Sequence, residues 1–417
     1  MSFKENDFYS RPLSYYTWQR LKKNNLAVFG MIVIGLSVIV ATLGYLITPD
    51  STPDSNTQML ELTIRPPGFS VQILLNRKNE ESHHVNFVSK MIFGQVSDYT
   101  ELPIYKYRFE GPNIIYEEYT GVTPNNGDEI EINVADLLYA INNDKPIAYE
   151  EKIGQLSFYE IGNEEKITKN AVELRNEVEK NNIIKKRYLL GTDRSGRDML
   201  SRIMIGTRIS LAVGFISVII SLVIGVLLGA ISGFFRGKID ELIMWVINVV
   251  WSIPTLMLVI AITLVLGKGF WQVFIAVGLT MWVEVARVIR GQVISIREKE
   301  FIEAGKALGY SNWRIIFRHI IPNVLGPIIV ISASNFASAI LVEAGLSFLG
   351  IGAQPPTASW GSMINAHRGY IIVDAAYLAL IPGVAIMALV LAFMLLGNAL
   401  RDALDTKAVD DEHVMGY

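Results

Sequence analysis

The chain has 417 residues, of which 51% are hydrophobic and 18% are charged, and its formal net charge is −3. Soluble domains carry roughly 25% charged residues, so this composition indicates a membrane protein with a soluble part. A net charge this small gives no support to nucleic-acid binding. The sequence contains no cysteine, which excludes disulfides, thiolate metal sites and cysteine nucleophiles.

Six apolar runs are long enough to cross a bilayer as helices, for which about 20 residues are needed. They are 26–47, 209–235, 242–267, 269–286, 323–342 and 375–400. The first run is long for the apolar part of a cleaved signal and lacks a small-x-small cleavage site, which favours an anchor. Pro254 interrupts the third run, where we expect a kink.

Lysine and arginine near the spans predict the orientation, because cytoplasmic loops carry an excess of both. Basic residues precede the first run and are concentrated between the fourth and fifth runs. We therefore expect both termini in the cytoplasm, with 1–25 and 401–417 as cytoplasmic segments and 209–400 as the transmembrane core. Four arginines precede the second run on the predicted outer side, against the usual excess of basic residues in the cytoplasm. Long loops, however, translocate largely regardless of charge.

Segment 48–208 faces outward in this topology and is too long for a linker. Two β-rich stretches around Gly111 predict a hairpin. A strand and then a helix are predicted over 128–143, and an exposed helix over 163–182, where opposite charges are spaced for mutual support. We expect a small extracytoplasmic α+β domain inserted into an otherwise all-α polytopic membrane protein.

The loop between the fourth and fifth runs has a polar stretch with helical periodicity. Phe301, Ala304 and Leu308 share one face of a helix predicted over 299–308. Gly309 suits the left-handed position that follows a helix.

A second short helix is predicted after this glycine, with Ser311 or Asn312 as its cap. One face carries Trp313, Ile316, Phe317 and Ile320, and Arg314 lies on the opposite side. We expect Pro322 to end this helix. The resulting knob could lie on the membrane surface or dock a cytoplasmic partner, and its residue pattern favours neither.

At these residues the sequence resembles the permease subunits of bacterial ABC importers, whose cytoplasmic coupling motif is written EAA-x3-G-x9-I-x-L-P. The matching residues here are Glu303-Ala304-Gly305, Gly309 and Ile321-Pro322, with Gly305 in place of the second alanine. The stretches that resemble the dipeptide/oligopeptide permeases, in particular the "C"-type partner, are 190–211, 282–309, 343–364 and 397–407. The inserted domain lies outside the resemblance.

The resemblance implies a six-helix permease of the type I importer class in the bacterial cell membrane, with coupling helices within 290–322. Its partners would be a second permease, two cytoplasmic ATPase subunits and an external peptide-binding protein. The implied ATPase-coupling residues are Glu303, Ala304, Gly305, Gly309, Trp313, Arg314, Ile316 and Phe317. Glu303 would accept charge-assisted hydrogen bonds from a basic group of the ATPase. The chain has no phosphate-binding loop, so it would not be an enzyme and would need no cofactor, because ATP and Mg²⁺ bind to the partners.

Three charged residues lie near the ends of the predicted spans: Glu284, Arg287 and Glu343. We interpret them as structural charges rather than solute contacts, although charges inside a membrane are functional candidates by default. The inserted domain would contact the binding protein or cap the chamber, or be a passive addition. Peptides are the expected cargo; a nickel complex, glutathione or a murein peptide is the alternative, and a passive channel is the second alternative.

Overall fold

The computed structural model describes residues 13–81, 85–142, 144–163, 165–267 and 269–404. The chain forms two compact units. The helical unit comprises the chain up to Ile39, Thr207–Ala366 and the chain from Ala379 on, and the inserted unit comprises Val40–Gly206 and His367–Leu378. The short segment His367–Leu378 therefore belongs with the inserted unit, which its position in the sequence did not reveal.

The α-helices of the described residues are of very unequal length, from 4 to 37 residues. In chain order they are α1 (Leu13–Lys23), α2 (Asn25–Ile47), α3 (Phe87–Phe93), α4 (Val134–Leu138), α5 (Ala171–Asn181), α6 (Met199–Phe235), α7 (Gly237–Trp251), α8 (Thr255–Leu266), α9 (Phe270–Arg297), α10 (Glu300–Ala307), α11 (Asn312–Ile315), α12 (Leu325–Phe348), α13 (Trp360–His367) and α14 (Tyr377–Leu404).

Within the part of the chain that the structure describes, five helical stretches are each long and apolar enough to cross a membrane, namely α2, α6, α9, Asn312–Phe348 and α14. The pair α7–α8 adds a sixth if it counts as one span. The predicted kink at Pro254 is in fact a break after which α8 turns 91° from α7. Proline lacks an N–H and its ring clashes with the preceding helical turn, so it begins α8 and does not continue α7.

Helix α6 begins at Met199, before the apolar run that predicted it. The Asp198 carboxylate accepts a hydrogen bond from the Ser201 N–H at 2.8 Å, which caps the first turn. Arg202 is buried in this polar turn, with Nε 3.7 Å from the Asp193 carboxylate. Hydropathy cannot predict such a start, because it depends on capping and ion pairing.

Glycines let α6 and α9 approach each other closely. A Cβ added to Gly229 would lie 2.5 Å from the Ala286 carbonyl oxygen, and one added to Gly225 would lie 2.5 Å from the Val285 Cβ. Small residues at a helix crossing bring the backbones together and increase van der Waals contact within a membrane. Helix α9 is accordingly the most buried of the candidate spans.

The inserted unit contains a five-stranded and a three-stranded antiparallel sheet. The strands are β1 (Phe69–Arg77), β2 (Tyr99–Glu110), β3 (Asn113–Glu118), β4 (Glu129–Asn133), β5 (Ala148–Glu150), β6 (Gln155–Tyr159), β7 (Lys166–Asn170) and β8 (Ile183–Tyr188). The orders are β4-β3-β2-β1-β8 and β5-β6-β7.

The predicted hairpin is β2–β3, in which Glu110 lies opposite Asn113. The stretch predicted as one exposed helix instead contains β7 and then α5, because the Asn170 side chain caps α5 by accepting from the Val172 N–H at 2.8 Å. A core that includes Leu74, Leu137, Phe158 and Leu174 joins the sheets to α4 and α5.

Candidate functional site

Helix α10 is the first half of the polar hairpin and exposes the face that carries Phe301. Ile302 and Gly305 are buried, whereas Glu303 and Ala304 are exposed. Phe301 is 43% exposed and Leu308 is 72% exposed. The predicted face of Phe301, Ala304 and Leu308 thus points away from the protein interior.

The turn after α10 is the predicted left-handed one. Gly309 has φ +77°. The Gly309 N–H donates to the Lys306 carbonyl at 3.0 Å, and the Tyr310 N–H donates to the Gly305 carbonyl at 3.1 Å. These bonds satisfy the last carbonyls of α10, and the left-handed residue reverses the chain into α11.

Helix α11 is capped by Ser311, whose side chain accepts from the Arg314 N–H at 3.4 Å. The expectation that Pro322 ends this helix is wrong. A π turn (Ile316–Ile320) and a 3-10 turn (Ile321–Val324) follow α11 and lead into α12, so Asn312–Phe348 forms one helical span. Proline has no N–H to donate, and its ring clashes with the preceding turn of a regular α-helix. The wider π turn and the tighter 3-10 turn accommodate both, so the helix continues past Pro322.

The apolar face predicted for this second helix is divided between interior and surface. Ile316 and Ile320 are buried in a core cluster that includes Ile289 and Ile302. Trp313 and Phe317 are 52% and 50% exposed, and their rings stack with centroids 5.9 Å apart. Ile315, Ile316 and Ile320 form the inner side of this helical segment, and Trp313 and Phe317 lie on its outer side.

Cationic side chains of the knob contact aromatic rings, one in the knob and one on α6. The Arg314 guanidinium lies 4.2 Å from the centre of the Tyr310 ring, and that ring stacks on His319 at 5.7 Å. Lys306 lies 5.7 Å from the centre of the Phe234 ring. Within the described part of the chain, no ion pair is recorded for the Glu303 carboxylate, which is exposed.

The three predicted structural charges do not pair with one another. Arg287 donates to the Asn248 side-chain oxygen at 2.9 Å and lies 3.2 Å from the centre of the Trp251 ring. Glu343 is 1% exposed and accepts from the Ser347 hydroxyl at 2.6 Å. Glu284 is exposed. The structural contacts of Arg287 and Glu343 are thus polar and aromatic rather than ionic.

An ion pair that the sequence did not suggest joins α7 to α9 near the hairpin. Two nitrogens of Arg290 each lie 2.6 Å from one of the Asp240 carboxylate oxygens. A bidentate pair of this kind fixes both distance and orientation. Arg236 similarly pairs with Glu298 at 2.6 Å. Local spacing gives no signal for contacts between residues so far apart in the chain.

Comparisons with known proteins assign this arrangement to a family. The model for binding-protein-dependent transport system inner membrane components matches residues 225–409, and that for the N-terminal transmembrane domain of oligopeptide transport permease C matches residues 13–66. The dipeptide transport system permease protein of Alkalihalophilus pseudofirmus is 45% identical over 220 residues, which cover 53% of this chain and 72% of the relative. The chain belongs to the permeases of binding-protein-dependent ABC importers.

A second relative has a different cargo in its name. The glutathione transport system permease protein of Pectobacterium atrosepticum is 41% identical over 220 residues, covering 53% of this chain and 73% of the relative. Among solved structures, the inward-facing methionine ABC transporter matches with 20% identity and a TM-score of 0.42, covering 49% of this chain and 97% of that chain. By its family and its relatives, this chain is a permease subunit of an ABC importer.

Proposed function

We propose that this permease forms half of the pathway of an ATP-driven importer of short peptides in the bacterial cell membrane. A second permease forms the other half. The knob of α10 and α11 docks in a groove of a cytoplasmic ATPase subunit, and an external binding protein delivers the peptide. ATP and Mg²⁺ are bound by the two ATPase subunits.

The observation that carries this proposal is the exposed surface of the knob. Phe301, Leu308, Trp313 and Phe317 are all more than one-third exposed, and Glu303 of α10 is exposed as well. Exposed apolar side chains together with a charge are typical of a protein contact with a polar anchor. The buried side of the same knob is packed into the helical unit, so a force applied to the surface reaches the spans.

Each knob residue has a distinct role in this proposal. Glu303 accepts hydrogen bonds from a basic group of the ATPase, and Trp313 and Phe317 supply apolar contact. Ala304 and Gly305 keep α10 narrow, and Gly309 makes the turn. Ile316 acts from the interior by holding the knob to α9, and Arg314 remains on the Tyr310 ring.

Peptide is the cargo proposed, because the relatives matched over the same length are named for a dipeptide and for glutathione, which is itself a small peptide derivative. A competition assay distinguishes a dipeptide cargo from glutathione. Uptake of a labelled dipeptide by the reconstituted importer should be reduced by unlabelled dipeptides and not by glutathione. If glutathione competes better than any dipeptide, the glutathione alternative replaces the peptide proposal.

The coupling proposal is tested with two carboxylates of one helix. Glu303→Gln and Glu300→Gln each remove one exposed charge from the first turn of α10, so both weaken the favourable interaction with the helix dipole. We expect Glu303→Gln to reduce recovery of the ATPases with the tagged chain and to reduce peptide uptake about tenfold, the effect of roughly 1.4 kcal/mol. Glu300→Gln should leave both measurements close to those of the parent. If the two variants recover the ATPases and take up peptide equally well, Glu303 is not part of the contact.

The inserted unit is proposed to receive the binding protein or to cap the translocation chamber. Deletion of 51–187 should then reduce both docking of the binding protein and uptake, while the ATPases still co-purify. Unchanged docking and uptake would leave the unit as a passive addition.

A further inference from the structure

Helix α3 of the inserted unit exposes apolar side chains over most of its surface. Phe87 and Phe93 are 68% and 67% exposed, and Val88 and Ile92 are 56% and 40% exposed. None of its described residues is buried. The polar residue Lys90 is more sheltered than these apolar neighbours. A helix on the surface of a water-soluble domain buries its apolar side chains and exposes its polar ones, and α3 does the reverse. Such an exposed apolar surface is typical of a site that another molecule covers.

The chain that leaves α3 is held against the residues that follow α2. The Gln95 N–H donates to the Ser51 carbonyl at 3.0 Å. Gly94 has φ +77°, and a Cβ added to it would lie 2.7 Å from the Ser51 carbonyl oxygen. Glycine is thus required here both by its backbone conformation and by the close approach. The C-terminal end of α3 therefore has a fixed position beside Ser51.

Ser51 lies close to the membrane boundary. Helix α2 has 23 residues and is about 34 Å long, slightly more than the roughly 30 Å of a hydrocarbon core, so Ile47 lies near its edge. Ser51 is four positions after Ile47, a reach of at most about 14 Å. The Asp54 N–H donates to the Tyr45 hydroxyl at 3.0 Å, which turns this segment back onto α2. The C-terminal end of α3 consequently lies near the headgroup layer.

We propose that α3 lies in the headgroup region of the leaflet next to the inserted unit, with Phe87, Val88, Ile92 and Phe93 inserted at the acyl boundary. A short helix with an apolar side of this kind binds the interface by burying its apolar surface in lipid. The half-buried Lys90 has a stem long enough to place its amine in the headgroup layer. The lipid surface is the occupant because α2, to which α3 is tied, is an apolar helix long enough to span a membrane and is itself largely exposed.

The test uses the absence of cysteine from the sequence. Phe93→Cys and Val88→Cys introduce single thiols into the full chain, which is labelled with the environment-sensitive dye NBD. The matched control is Ile153→Cys, which lies in the turn between β5 and β6 and is 53% exposed in the parent. Each variant is first compared with the parent by thermal melting in detergent, so that only folded protein is reconstituted.

The labelled proteins are placed in vesicles of phosphatidylcholine with a nitroxide near the start of one acyl chain. We expect blue-shifted NBD emission and several-fold stronger nitroxide quenching at positions 93 and 88 than at 153. Quenching at 93 and 88 no stronger than at 153 overturns the proposal. So does a label that is shielded only when the binding protein is added, or only in complex with a second permease, because either result assigns α3 to a protein contact.

Discussion

At the scale of single residues, Gly309 determines the shape of the knob. Its φ of +77° costs other residues about 1–2 kcal/mol, whereas the space beside its Cα is empty. We expect Gly309→Ala to lower the melting temperature of the purified chain and to weaken co-purification of the ATPases. Gly309→Asn should do less harm, because asparagine tolerates this conformation better. Two variants that both behave like the parent would show that the turn is adaptable.

A carboxylate of the inserted unit predicts how its stability depends on pH. Glu117 accepts from the Asn125 amide at 2.6 Å and pairs with Lys106 at 2.9 Å. The Asn125 hydrogen bond and then the lysine hold the pKa of Glu117 below its ordinary value of 4.5. A lowered pKa means that this stabilisation is complete above 4.5 and is lost as the pH falls toward the pKa of the folded protein.

The matching variant is Glu117→Gln. We expect it to melt at a lower temperature than the parent at neutral pH and to lose less stability as the pH falls below 4.5. The measurement is thermal melting of the full chain in detergent across this range. Parallel melting curves for parent and variant at every pH would contradict the assignment.

Local sequence predicts the knob only in part. The glycine turn and the Ser311 cap depend on neighbouring residues alone; the turn was predicted, and Ser311 was one of the two predicted caps. The burial of Ile316 and the exposure of Phe317 depend on which side of the helical segment packs against α9, which the local sequence does not determine. The Asp240–Arg290 pair depends on the packing of α7 against α9 and has no local signal at all.

At the scale of helices, the α6–α9 crossing provides a sharp test of packing. Gly229→Ala would place its Cβ 2.5 Å from the Ala286 carbonyl oxygen, so the helices must separate. Gly291→Ala in α9 meets nothing within 4 Å and is the matched control. We expect the first to lower the melting temperature and the second to leave it equal or raise it, because alanine favours helix by about 1 kcal/mol over glycine. Equal melting temperatures would mean that the crossing is loose.

Hydropathy predicts that the spans exist and roughly where they lie, because the lipid core requires long apolar helices. It does not predict their ends, since α6 starts within a polar turn and α9 continues to Arg297. It also does not distinguish a gentle kink at Pro254 from a right-angle break, because proline permits both and packing selects one.

At the scale of the whole molecule, the bent pair α7–α8 decides the topology. If it crosses the membrane, three spans separate Ile153 from Leu308, namely α6, the α7–α8 pair and α9. Ile153 and Leu308 then lie on opposite sides of the membrane. We expect an impermeant maleimide added to intact cells to label only one of Ile153→Cys and Leu308→Cys, and to label the other after permeabilisation. Both are more than half exposed, so access does not bias the result. Labelling of both from the same side would make α7–α8 a re-entrant segment with five spans in total.

The architecture of the inserted unit could be predicted only in outline. The β2–β3 hairpin follows from local alternation and turn residues. The pairing of β8 with β1 joins residues more than a hundred positions apart, and the inclusion of His367–Leu378 adds a segment from beyond α12. Such long-range pairings depend on the tertiary packing of the whole unit, which local sequence patterns do not contain.

The continuous helix Asn312–Phe348 has a mechanical consequence. Its 37 residues span about 55 Å. Ile320 is fully buried and lies about 12 Å from one end and about 42 Å from the other. If this residue is the fulcrum, a tilt of the helix displaces the far end more than three times as much as the end at the knob. A shift of one or two ångströms in the partner would then be amplified into a movement as wide as a side chain.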